Sequence, residues 1–296
     1  MENLFDNCNL CPRRCGVNRS LGKTGFCRMP DYPLVNLIKL HYGEEPVISG
    51  TSGSGTVFFE GCSLGCVFCQ NYSISRGPTG HGKAMDKNDL SYAFLKLQDQ
   101  SAHNINLVTP MHFAPVVSEA VALARSSGLE IPVAVNCSGY ELVSTLKLFD
   151  GLADIYMPDM KYFSSKLSSE YSHAPDYFQV CAGAIDEMVR QTGDIVTGKD
   201  GMLKKGVIVR HLILPGALFD SKHVLDYLTS RYGNKIFISL MSQYTPMPSC
   251  TGKLAGRPSK NSCEKLADYL ASKGQTNAFI QEYDSSGNEM IPDFNT

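Results

Sequence analysis

The chain has 296 residues, 43% of them hydrophobic, and 27 Lys and Arg against 29 Asp and Glu leave a formal net charge of −2. That balance excludes a globally basic protein built to bind nucleic acid or an anionic membrane, and no apolar run approaches the roughly 18 residues of a membrane span. The start, MENLFDNCNLCPRRCG, lacks the charged, apolar and small-residue order of a signal peptide, so a cytoplasmic protein is expected, with no nucleic-acid or membrane partner.

Residues 1 to about 50 read as a loop-like segment holding Cys8, Cys11, Cys15 and Cys27, and a Gly/Ser stretch, SGTSGSG (49–55), separates it from the rest. Two parts are expected: 1–50, a cysteine-rich cluster-binding segment, and 51–296, a core barrel with a C-terminal extension. From residue 56 short apolar runs alternate with amphipathic segments. In chain order they are strand TVFFEG (56–61), helix 89–101, strand INLVTP (105–110), helix 114–126, strand IPVAVNC (131–137) and helix 140–149. Strand DIYMPDMK (154–161), helix 176–191, strand VIVRHLILPG (207–216), helix 221–231, strand KIFISLMSQY (235–244) and helix 262–272 follow. The strands are apolar on both parities, as parallel strands covered on both faces are. Pro115 stands in the first turn of its helix, where its missing N–H costs little. Strand and helix alternating about six times predict a parallel α/β fold, a barrel or an open sheet.

In such folds chemistry gathers at the carboxyl ends of the strands. Here these ends read Gly61-Cys62, Thr109-Pro110, Asn136-Cys137-Ser138, Asp159-Met160-Lys161, Pro215-Gly216 and Gln243-Tyr244. Eleven cysteines is a high number, and in a reducing compartment they point to metal ligands before disulfides. Cys137, Cys181, Cys250 and Cys263 are scattered and read as small buried side chains. Cys62, Cys66 and Cys69 instead form a C-x3-C-x2-C loop directly after the first strand. A zinc loop would need a distant fourth ligand. A [4Fe-4S] cluster held by three thiolates keeps one iron open to bind something else.

That loop, with Phe68 before its last cysteine, resembles the radical S-adenosylmethionine (SAM) enzymes. Its flanks, GSGTVFFEGCSLGCVFCQN, are similar to the activating enzymes of glycyl-radical enzymes, of which pyruvate formate-lyase activase is the best known. The resemblance runs through HYGEEPVISG, INLVTPMHF, PVAVNCSGYE, IYMPDMKYF, VIVRHLILPG and SLMSQYTPM, to an uncharacterised branch with an N-terminal cysteine-rich segment. It implies a partial (β/α)6 barrel of the TIM type, with Cys62, Cys66 and Cys69 holding a cluster whose open iron chelates SAM. It also implies reductive cleavage of SAM to a 5′-deoxyadenosyl radical that abstracts hydrogen from a substrate. The family's second strand commonly ends in Gly-Gly-Glu; Thr109-Pro110-Met111-His112 stands there, so Thr109, His112 or backbone carbonyls are expected at the amino group of SAM. Asn136, Ser138 and Gly139 match the turn that holds the ribose. Asp159 and Lys161 match an acid-x-lysine pair, with Lys161 reaching the methionyl carboxylate. Arg210 matches an arginine near the substrate, and Gln243 falls near a family histidine.

The N-terminal group, Cys8, Cys11, Cys15 and Cys27, is spaced C-x2-C-x3-C-x11-C. Four thiols make a closed site, for a second [4Fe-4S] cluster or a structural zinc. Arg13, Arg14, Arg19, Lys23 and Arg28 around it are either a solvated basic loop or a docking surface for an acidic electron donor such as a flavodoxin or ferredoxin. The leading expectation is formation of a glycyl radical on a partner protein. The alternatives are radical chemistry on a small metabolite or modified residue, and a non-catalytic zinc-binding interaction protein.

Overall fold

The computed structural model describes residues 3–77, 80–283 and 292–294; the remainder of the expected C-terminal extension, 284–291 and 295–296, lies outside the described residues. The strands are β1 (Leu34–His41), β2 (Ser54–Phe59), β3 (Lys83–Ala84), β4 (Ile105–Val108) and β5 (Val133–Cys137), then β6 (Ile155–Pro158), β7 (Val196–Thr197), β8 (Leu203–Leu212), β9 (Phe237–Met241) and β10 (Ala278–Ile280). They make one sheet in the order β10-β9-β8-β6-β5-β4-β2-β1-β3, with β7 on β8. From β2 to β10 all neighbours along that path are parallel, while β1 runs antiparallel to β2. The sheet does not close, so the fold is the partial barrel expected.

The helices are α1 (Pro46–Ser49), α2 (Tyr72–Ser75), α3 (Lys87–Asp99), α4 (Ala114–Ser126), α5 (Val143–Leu146), α6 (Ser165–Ser172), α7 (Tyr177–Thr192), α8 (Leu218–Tyr232) and α9 (Lys260–Ser272). A capping box starts α3: Asp86 accepts the N–H groups of Asn88 and Asp89, and Asp89 reaches back. Leu90, Phe94 and Leu97 of α3 and Val117, Val121 and Ala124 of α4 enter the main core, the i, i+3, i+4, i+7 stripe of a surface helix. None of the described helices is long and apolar enough to cross a membrane.

Register decides what the concave face carries. Phe58, Val108 and Asn136 are aligned across β2, β4 and β5, Asp159 pairs with Arg210, and Leu212 pairs with Met241. Two residues before these, Ala134, Met157 and Ile208 join Ile155 and Ile48 of α1 in a second, apolar cluster. Side chains at i and i+2 share a face, so Ala134, Met157 and Ile208 lie beneath Asn136, Asp159 and Arg210, an apolar layer under the polar groups of the central strands.

Two sequence expectations need correction, and one helix went unread. The loop-like segment of residues 1 to about 50 contains β1, which lies near the sheet's edge and is mostly half-exposed, so it lacks the doubly apolar signature of the central strands. The single helix expected over 140–149 is a short α5 followed by a 3-10 turn, Lys147–Phe149. The helix α6, rich in serine, escaped the reading because Ser is a weak helix former.

Candidate iron–sulfur and cofactor site at the strand ends

One cavity of about 240 Å³ opens at the carboxyl ends of the strands, lined by Cys62, Cys66 and Cys69 together with Thr109, Asn136, Ser138, Asp159, Lys161, Arg210 and Gln243. The loop that carries the cysteines leaves β2 through Gly61, at φ +81°, where a Cβ would strike Met29 and the Cys27 carbonyl. All eleven cysteines are free. The loop sulfurs accept hydrogen bonds: Cys62 from the Leu64 N–H (3.3 Å), Cys66 from the Ser172 hydroxyl (3.0 Å) and Cys69 from the Ser75 hydroxyl (3.4 Å). Donors aimed at sulfur suit thiolates. Without a cation burial raises the Cys66 thiol and pushes the Cys69 thiol up to about 12, so a positive group must displace the protons. The donor set therefore fits a thiolate-bound metal centre.

Asp159 and Lys161 leave the end of β6 and pair at 2.6 Å. Burial works against the Lys161 ammonium, yet the Asp159 carboxylate and the nearby Cys66 outweigh it and raise its pKa. The fully buried hydroxyl of Tyr177, on α7, sits 2.8 Å from the carbonyls of both Ser138 and Asp159 and accepts the Lys161 N–H (3.0 Å). It thus ties the ends of β5 and β6 together. The chains come so close that a Cβ at Gly139, φ +76°, would lie 2.2 Å from the Asp159 carbonyl. Thr109 lines the cavity at φ +60°, a strained setting for a β-branched residue.

Arg210 is not a free guanidinium. It pairs with Glu45 through Nε (2.9 Å) and Nη2 (2.5 Å) and also with Glu44, all three side chains being at most 10% exposed. Gln243 accepts from Gln281 (2.7 Å). His112 does not line the cavity: its Nε2 donates to the Glu60 carbonyl (2.8 Å), and burial, then the Arg19 charge, lower its pKa to about 3. Glu44, Glu45 and Tyr177 were missed by sequence reasoning. The Glu pair lies in the quoted HYGEEPVISG, but nothing there says that it faces an arginine 165 residues on.

The N-terminal segment lies over the loops after β2, β4 and β5. Arg19 is buried and donates to the Pro30 and His112 carbonyls, and Thr145 donates to the Leu10 carbonyl (2.7 Å). Cys8, Cys11 and Cys27 are buried and Cys15 is exposed. Burial pushes the Cys11 thiol up to about 12 and raises that of Cys27.

No family model matches the chain. It is 29% identical over 257 residues to the uncharacterized protein MJ0674 of Methanocaldococcus jannaschii, covering 83% of this chain and 68% of that protein. Among solved structures, Streptococcus suis SuiB bound to its precursor peptide SuiA is similar with a TM-score of 0.50 and 13% identity, over 74% of this chain and 46% of that one. Methylornithine synthase, PylB, is similar with a TM-score of 0.50 and 14% identity, over 74% and 67%. The chain thus spans less than half the length of SuiB. At such identities the likeness is one of fold: an open, mostly parallel α/β sheet similar to that of radical SAM enzymes.

Proposed function

We propose that the chain is a radical SAM iron–sulfur enzyme of the activase-like kind, which forms a glycyl radical on a partner protein. The observation that carries this reading is the capping of one cavity by three free cysteines of a single loop, with Asn136, Ser138, Asp159 and Lys161 on its wall. When bound, the cluster would supply one electron to SAM and yield the 5′-deoxyadenosyl radical. The chain's own residues bind and shield. Lys161 offers its ammonium to the methionyl carboxylate, and Asn136 and Ser138 offer polar groups to the ribose. Thr109 and its neighbouring carbonyls take the amino group, and Arg210 braces the cavity wall through Glu44 and Glu45.

A mononuclear zinc takes four ligands and the loop supplies three, so a cluster that leaves one iron open is the better occupant. We read the four thiols Cys8, Cys11, Cys15 and Cys27 as the ligands of a second cluster. Exposed Cys15, with Arg14, Lys23 and Arg28 exposed around it, suits docking of a flavodoxin- or ferredoxin-type donor.

The cavity, at about 240 Å³, is smaller than the roughly 300–1,000 Å³ of typical small-molecule pockets. With a cofactor bound there, the substrate group would reach it from outside, as a glycyl loop of a partner protein would. SuiB, whose fold is similar, was captured with a precursor peptide, which accords with a polypeptide substrate. The test is anaerobic reconstitution with iron and sulfide. A brown iron–sulfur chromophore, dithionite-driven formation of 5′-deoxyadenosine and its loss in Cys66→Ala support the enzyme. A colourless protein that binds only zinc refutes it. A glycyl radical signal on mixing with candidate partners tests the activase step, and 5′-deoxyadenosine without that signal moves the substrate elsewhere.

A further inference from the structure

Cys66 is the most buried of the three loop cysteines, and its sulfur has a neighbour from far along the chain. Ser172, 106 residues away at the end of α6 and fully buried, donates its hydroxyl to Cys66 Sγ at 3.0 Å. The Tyr162 hydroxyl, also fully buried, lies 2.7 Å from Ser172 Oγ. A serine hydroxyl has one proton. Given to the sulfur, it leaves the oxygen to accept from Tyr162. The chain runs Tyr162 O–H to Ser172 O–H to Cys66 Sγ, and in a buried setting each bond polarises the next.

A helical serine commonly turns back on its own helix, as Ser168 of α6 does on the Ser165 carbonyl (3.2 Å). Ser172 does not, because its surroundings hold it against the sulfur. The Val67 N–H donates to the Tyr171 carbonyl (2.9 Å), which fastens the three-cysteine loop to α6. Arg13, lying between Cys11 and Cys15, donates to the Ser172 carbonyl (2.9 Å) and to that of His173.

We propose that Ser172, backed by Tyr162, is a positioning residue that stabilises the extra negative charge on the Cys66 sulfur when the centre held by the loop takes up one electron, and so sets how reducing its donor must be. This rests on the iron–sulfur reading above. Hydrogen bonds to ligand sulfurs are among the groups that set cluster potentials, and a fixed O–H dipole favours the more negative state. The electron comes from a flavodoxin- or ferredoxin-type donor, which is oxidised by one electron. No covalent bond changes and no proton leaves Ser172.

The test is an anaerobic redox titration of the reconstituted full chain with dithionite and mediators, following the paramagnetic signal that changes when SAM is added. In Ser172→Ala the ratio of reduced to oxidised centre at a fixed potential falls about tenfold, which is ~59 mV for a one-electron couple. In Tyr162→Phe, which keeps the serine and removes the tyrosine hydroxyl behind it, the ratio falls by a smaller factor of about three. Ratios equal to wild type in the cluster-bearing fraction of both variants, even with lowered iron content, would reduce Ser172 to a packing residue and overturn the proposal. Failure of Ser172→Ala to fold leaves Tyr162→Phe to decide. A wild-type chain that assembles no cluster refutes the function proposed above and this inference with it, whereas a normal cluster with unshifted variants refutes this inference alone.

Discussion

Arg13 and Arg76 both pack over the ring of Phe26, each guanidinium carbon 4.0 Å from its centroid. One arginine belongs to each cysteine group, and each serves the other's backbone. Arg13 donates to the carbonyls of Ser63 and Leu64 in the three-cysteine loop (both 2.9 Å). Arg76 donates to the carbonyls of Phe26, next to Cys27 (2.7 Å), and of Cys62 (3.2 Å). The N-terminal segment is therefore fastened to the three-cysteine loop from behind the cavity lining.

Replacing Arg13 by Ala strands several carbonyls that a charged donor now satisfies. A hydrogen bond to a charged group contributes roughly 1.5–3 kcal/mol, so the loss expected for Arg13→Ala is about 3 kcal/mol, against less than ~0.5 kcal/mol for exposed Arg14→Ala. Urea denaturation of the two variants checks this, and equal midpoints would show the interlock to be energetically idle.

The six strands of the barrel and most of the covering helices were legible because doubly covered strands are apolar on both parities and their helices carry one apolar stripe. So was the gathering of Thr109, Asn136, Ser138, Asp159 and Lys161 at one rim, since side chains at carboxyl ends of parallel strands share a mouth. The rest depended on long-range partners. His112 has the chemistry of a ligand, but its ring is spent on the Glu60 carbonyl. Arg210 looks like an anion binder, and only the folded chain puts Glu44 and Glu45 against it. Ser172 is one serine among several in α6, and no local pattern marks the one that meets a sulfur.

Arg210 illustrates why loss of activity alone misleads. Removing one member of a buried ionic group costs about 3–5 kcal/mol, because uncompensated charge stays behind. Arg210→Ala is expected to lose that much stability, and Arg210→Met combined with Glu44→Gln and Glu45→Gln to recover most of it. Chemical denaturation separates the cases, and a stable Arg210→Ala protein would return the residue to a direct role at the substrate.

Lys161 is the cation the cofactor reading leans on. Lys161→Ala is expected to weaken SAM binding about tenfold, the equivalent of one charge-assisted hydrogen bond. Lys96→Ala, on the exposed side of α3, should leave it unchanged. Equilibrium dialysis of the reconstituted proteins measures both, and equal affinities would make Lys161 only the partner of Asp159.

Thr109 holds φ +60° on the cavity wall. Strain of this kind costs on the order of 1–3 kcal/mol, and glycine relieves it at an entropic cost of roughly 0.5–1 kcal/mol. Thr109→Gly is thus expected to be at least as stable as wild type and yet to bind SAM more weakly, having lost the Thr hydroxyl. A lower melting temperature would contradict the strain, and unchanged affinity would remove Thr109 from the cofactor contacts.

Glu141 adds a pH dependence. It lies behind Ser138, whose hydroxyl donates to its Oε1 (3.0 Å), while Oε2 is buried and has no hydrogen-bond partner among the described residues. Burial raises its pKa from 4.5 to about 8. Between those values the folded chain keeps a proton that the unfolded chain has released. The folded state binds more protons there, so stability falls as pH rises. The contribution is intact below about pH 4.5 and is lost as pH climbs through about 8. Glu141→Gln stays neutral throughout. Its stability relative to wild type is therefore expected to increase from pH 5 to pH 9, by about 1.4 kcal/mol per pH unit at most. Melting curves across that range test it, and parallel profiles for the two proteins would mean that the carboxyl behind Ser138 is ionised in the folded chain.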